Sequence, residues 1–123
     1  MTRRSYDGVA VAVPVTVPYE RFSTNGAPWF LGRVLAELVK QSGVPKDAID
    51  GLCVSSFSLS PDTAVGLTQH LGVSPRWLDH IPMGGASGVV AVRRAARAVQ
   101  AGDAAIVACI SGAPNHVASF RTM

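Results

Sequence analysis

The densest chemical signal in the chain is Pro82-Met83-Gly84-Gly85-Ala86-Ser87-Gly88, followed directly by Val89-Val90-Ala91-Val92. Three glycines and a serine ahead of an apolar run predict a tight turn from an extended segment into a helix whose first turn carries almost no side chain. Another group can approach such a backbone closely. The unpaired N–H groups of a helix start, with the positive end of its dipole, favour an anion, an oxyanion or a thiolate. A helix that starts tightly because it is buried shows the same residues, and the two readings stay open on this stretch alone.

Other side chains offer less. Cys53 and Cys109 each lie within a β-like apolar run with no Cys-x-x-Cys spacing, which makes them small core residues before nucleophiles. Ser87 has no Ser/His/Asp spacing and no Gly-x-Ser-x-Gly elbow, so it reads as a first-turn helix hydroxyl. The 3 histidines have no Asp or Glu at metal-ligand spacing, which argues against a metal site. His116, in a loop after a strand, is better placed than His80 to line a pocket. Arg93, Arg94 and Arg97 could meet a phosphate, but a solvated or subunit-facing stripe fits their spacing as well.

Periodicity supplies the elements that would position these groups. Val9 to Val13 is a β-branched and small apolar run, as expected of a central strand buried on both faces. Trp29 to Gln41 has Leu31, Val34, Leu35 and Leu38 on one helical face, with Gly43 as its C-cap. A short turn over Pro45 to Ile49 leads to a strand over Leu52 to Phe57. Ser60-Pro61 opens a short helix through Leu71, which Gly72 closes. Trp77 to Ile81 is a third strand that runs into the glycine turn. The next helix carries Val89, Val92, Ala96 and Val99 on its apolar face, and Ala104 to Ile110 is a fourth strand. Ser111 to His116 forms a loop at the end of an open α/β sheet where ligands usually sit. The order β-α-β-α-β-α-β gives an α/β class with a mostly parallel buried sheet in layers.

Composition bounds the setting. The 123 residues make a single domain, long enough for a core. With 48% hydrophobic and 15% charged residues, the chain is more apolar than ordinary domains, where charged residues reach about a quarter. Surplus apolar surface predicts contact with another chain or domain. A net charge of +3 from dispersed residues excludes a nucleic-acid footprint. The 2 cysteines without disulfide context suit a reduced, cytoplasmic protein. Pro14 and Pro18 break the signal-like start, and no stretch is long enough to span a membrane.

With the chain laid out, a resemblance emerges. Ala48-Ile49-Asp50-Gly51-Leu52, Pro75-Arg76-Trp77-Leu78-Asp79, Gly84-Gly85-Ala86-Ser87-Gly88 and Ala101-Gly102-Asp103-Ala104-Ala105-Ile106-Val107 together resemble the N-terminal portion of thiolase-like enzymes, closest to the sterol-carrier or lipid-transfer type. In that family a cysteine nucleophile starts a buried helix, and Ala-Gly-Asp ends it. Gly85 stands at the cysteine's place, so the resemblance implies no acyl-enzyme step and no catalytic residue among these positions. It implies aldolase-type chemistry instead, the making or breaking of a carbon–carbon bond in an acyl-CoA thioester, with no other cofactor. The acid and base of such relatives lie beyond the stretch matching Met123, so the isolated chain is expected to be inactive. Gly84, Gly85, Ser87, Asn115 and His116 are the expected substrate-binding residues. The implied partners are a second copy, through an uncovered edge carrying Trp77 and Ile81, or a hetero-oligomer that includes a small OB-fold protein. A non-catalytic subunit retained for assembly or acyl-CoA binding is the alternative. A dinucleotide loop at Gly84 to Gly88 is weaker, because Gly-x-Gly-x-x-Gly spacing is absent.

Overall fold

A computed structural model describes residues 5–18, 26–56, 63–82 and 86–112. Its elements are α1 (Ala27–Ser42), β1 (Gly51–Ser55), α2 (Thr63–Leu71), β2 (Trp77–Ile81), α3 (Ser87–Ala101) and β3 (Val107–Ser111), with a 3-10 turn over Lys46–Ala48. The strands form an all-parallel sheet of order β2-β1-β3, in which Gly51 pairs with Trp77 on one side and Val107 on the other. The α/β class is therefore as expected, with three described strands.

Every residue of β1 is buried, as a central parallel strand requires. Its alternation divides the core. Leu52 and Val54 join Leu31 and Leu35 of α1, Leu67 and Leu71 of α2, and Ala108 and Ile110 of β3. Cys53 faces the other way, with Ile81 of β2 and Ala91 of α3. The sheet is thus sandwiched between α1 and α2 on one face and α3 on the other.

The helix ends follow their sequence signals. Gly43, Gly72 and Gly102 all have positive φ, at 71°, 70° and 82°. The Gly102 N–H bonds the carbonyls of Ala98 and Val99, and the Asp103 N–H bonds that of Ala98, so Ala101-Gly102-Asp103 ends α3 with its last carbonyls satisfied.

Three expectations are corrected. Val9 to Val13 lies in no strand: the segment carries no ladder, Val11 is 80% exposed, and Val13 holds a φ of 58°. A β-branched residue in that region is strained by about 1–3 kcal/mol. The buried residues of α3 are Ser87, Ala91, Ala95, Ala96 and Ala98, so Ala96 of the expected face is buried, while Val89 is 78% and Val92 40% exposed. Small side chains let the helix approach the strands closely, and the valines are left to one side. Cys109 is exposed on the α3 side of β3, an edge strand among the described residues, whereas Cys53 is the buried core residue expected.

Asp50 determines where the strands begin. Its carboxylate accepts hydrogen bonds from the N–H groups of Ala105 (2.9 and 3.0 Å) and Ile106 (2.8 Å). Those bonds hold its pKa below the ordinary carboxylate value. Its carbonyl accepts from the N–H groups of Arg76 (2.7 Å) and Trp77 (3.3 Å), and its own N–H donates to Ile106 O. One residue thus ties the entries of all three strands together. Ala105 and Ile106 serve this junction, so β3 starts at Val107, later than hydropathy predicts.

Candidate functional site

Parallel strands with helical crossovers bring the C-terminal ends of β1, β2 and β3 to one edge, beside the start of α3. Ser55 and Ser56 end β1 there. The Ser55 hydroxyl donates to the carbonyl of Ser87 at 3.3 Å, a buried bond that fixes the first residue of α3 over the end of β1. The carbonyl of Ser55 accepts from Gly112 N–H at 3.2 Å, which carries the β1–β3 ladder one residue past the strand end. His80 of β2 places Nε2 3.0 Å from the Ser56 carbonyl, so its ring crosses between the two strand ends.

Two features leave this edge open to chemistry. Ala86, the N-cap of α3, makes no side-chain capping hydrogen bond. Ser56 is 3% exposed, and among the described residues its hydroxyl has no hydrogen-bond partner. A buried hydroxyl left unmatched costs about 1–3 kcal/mol, the kind of cost found where a ligand completes a site.

Of the expected binding residues, Ser87 lies at this edge, but buried at 5% exposure and with its carbonyl engaged. It is a packed helix-start residue. Gly84, Gly85, Asn115 and His116 lie outside the described residues. Ser55, Ser56 and His80 are the polar groups the edge does bring together. The signal for the serines was available: two hydroxyls in succession at the end of a fully apolar strand are costly unless something at the strand end engages them.

Neither cysteine is activated: burial raises the Cys109 thiol pKa above its ordinary value. Burial, with smaller contributions from Cys109 and Asp79, pushes the Cys53 thiol up to about 12, so it stays protonated at neutral pH. Among the described residues no group of three His, Cys, Asp or Glu side chains is arranged to hold a metal ion.

The chain matches no family model, no curated protein and no solved structure. The reading of its function rests on its own residues.

The arginines of α3 are divided by their partners. Arg94 pairs with Asp79 of β2 at 3.1 Å, while Arg97 stacks 3.9 Å over the Tyr6 ring and donates to the Ser5 carbonyl. They brace β2 and the N-terminal segment rather than converge on one anion. The expected dimer edge also changes. β2 is an edge strand among the described residues, but Ile81 is 1% exposed and Trp77 packs against the Cys53 cluster. Any pairing at β2 would therefore use its backbone more than these side chains. Among the described residues no helix is long and apolar enough to cross a membrane.

Proposed function

We propose that the chain forms the N-terminal part of a thiolase-like protein of the lipid-transfer type, acting on acyl-CoA thioesters by aldolase-type carbon–carbon bond chemistry without a cysteine nucleophile. The observation that carries this reading is the entry to α3. The end of β2 and a helix start anchored by the Ser55–Ser87 hydrogen bond lie at the C-terminal edge of a parallel sheet. In such a place the first-turn N–H groups and the helix dipole stabilise negative charge that develops on a thioester carbonyl oxygen. Glycine at position 85 carries no nucleophile, so no bond to the acyl group forms there. The acid and base then come from elsewhere in the assembly, with the β2 edge as the place where a second copy or a smaller partner adds.

Gly85→Cys tests the position. If residue 85 faces the thioester, the new thiol is activated by the helix start and attacks the carbonyl of acetyl-CoA. A carbon–sulfur bond to residue 85 forms, and the CoA thiolate leaves. Intact-mass and peptide mass spectrometry should show one acetyl group on the peptide holding residue 85 and none on that of Cys53. A folded variant that stays unmodified while the wild-type chain also fails to bind acetyl-CoA in calorimetry would overturn the proposal.

A further inference from the structure

We infer that residues 9–13 close onto the outer edge of β3 as a fourth, parallel strand, so that the segment is a strap of this chain poised over its own acceptor edge. The inference rests on the fold alone and stands whether or not the chain acts on thioesters.

The acceptor is defined by the β3 ladder. Gly112 N–H points at β1, where it meets Ser55 O, and the Ile106 carbonyl also faces β1. Side alternation along a strand then turns the N–H and C=O groups of Val107, Cys109 and Ser111 outward. No strand pairs with them among the described residues. Beside that edge lies a cleft of about 630 Å³ between α1 and α3, with Val34, Leu38, Val92, Val99 and Ile106 in its walls. Val92 and Ile106 are exposed there although both are large and apolar. An unpaired edge flanked by apolar side chains invites another strand.

The occupant is suggested by the lining of the same cleft, which includes residues 8–16 of this chain beside Ala105 to Cys109. Described residues on either side of it lie at opposite ends of β3. At one end, Gln100 donates to the carbonyls of Ser5 and Asp7, and Arg97 donates to Ser5 O and stacks on Tyr6. These residues sit in the last turns of α3, at the end of the sheet where the strands begin. At the other end, Gly26 leads into α1, whose Phe30 and Leu31 lie against Gly112, where β3 finishes. Between Asp7 and Gly26 the chain therefore advances in the direction of β3, and α1 then carries it back to β1, as in the ordinary strand–helix–strand crossover. Val9-Ala10-Val11-Ala12-Val13 has the β-branched composition of a buried strand. Closure would also release Val13 from its φ of 58° and cover Cys109.

Residue-resolved amide hydrogen exchange of the wild-type chain tests this without any variant. The expected result is exchange slowed at least about 100-fold at Val11 and at the outward amides of Cys109 and Ser111, unchanged on dilution. Val11→Pro, which removes an N–H from the middle of the strap, should then abolish the protection at Cys109 and Ser111 while Leu52 to Val54 stay protected. Unprotected amides at residues 9–13 would overturn the inference. So would protection that is lost on dilution as a dimer dissociates, since a second copy would then be the occupant.

Discussion

Asp50→Ala should destabilise the fold by about 1–2 kcal/mol near neutral pH, and the loss should shrink on acidification. The carboxylate accepts from Ala105 and Ile106 at 2.8 to 3.0 Å. Hydrogen bonds to a charged group contribute about 1.5–3 kcal/mol when shielded. Here Ala105 and Ile106 are exposed, so water replaces part of the loss and salt screens the charge, which brings the estimate for both bonds together to about 1–2 kcal/mol. The backbone bonds of Asp50 to Arg76, Trp77 and Ile106 survive the substitution, so the start of the sheet loosens without coming apart. Asp50→Asn keeps one acceptor oxygen and gives up the charge, and should cost about half as much. The pH dependence follows from the lowered carboxyl pKa of the folded state. A depressed folded-state pKa contributes stability that is full above the unfolded value of about 3.9 and is lost as pH falls through the folded value. Urea unfolding followed by circular dichroism should therefore show a constant gap between wild type and Asp50→Ala from pH 7 to pH 5, narrowing below pH 4. In thermal melts each kcal/mol corresponds to a shift of about 3–6 °C for a chain of this length. A gap under about 0.3 kcal/mol at pH 7, or one that widens in acid, would refute the assignment of Asp50 as the charged clasp of the strand entries.

Two further substitutions probe neighbouring points of the same framework. A Cβ on Gly51 would sit 2.7 Å from Cγ2 of Val107 and 3.0 Å from Cβ of Ala104, so Gly51→Ala should cost about 1–3 kcal/mol in the same unfolding assay, and a neutral result would mean β1 and β3 are less closely apposed at their start. Ser56→Ala removes a buried hydroxyl without a partner among the described residues and should leave stability unchanged or raise it by up to about 1 kcal/mol; a clear loss would show that the hydroxyl is already engaged, whereas unchanged stability with weaker acetyl-CoA binding would place it on the ligand.

Much of the fold was legible in the sequence, for a reason that can be stated residue by residue. Leu31 and Leu35 recur at helical spacing and are the two most buried leucines of α1, and Gly43 ends that helix in the left-handed conformation its position predicts. The strand expected over Leu52 to Phe57 is observed as β1 from Gly51 to Ser55, with Cys53 as the buried core residue expected. These signals are local: the side chain that produces the pattern also does the packing. The α3 face was misjudged because periodicity ranks valine above alanine, whereas contact with the sheet selects for closeness. Ala91, Ala95 and Ala98 win the interface by being small.

The site was legible only where the chain's order sets its position. A strand before a turn and a helix after it place the start of α3 at the C-terminal edge of a parallel sheet, whatever residues follow. What lies opposite that helix start depends on pairing between distant segments, and no spacing within Leu52 to Ser56 reveals that Ser55 will reach Ser87, 32 positions away. The same separation explains Asp50, which belongs to a sequence run shared with the thiolase resemblance yet works here as a structural clasp 55 and 56 positions from its partners. A run of residues that looks like a family's signature can thus record the demands of a fold as much as those of a reaction. Experiment can separate the two, because a thiol introduced at position 85, two residues before the start of α3 in the sequence, tests the proposed chemistry, whereas Asp50→Ala tests the fold.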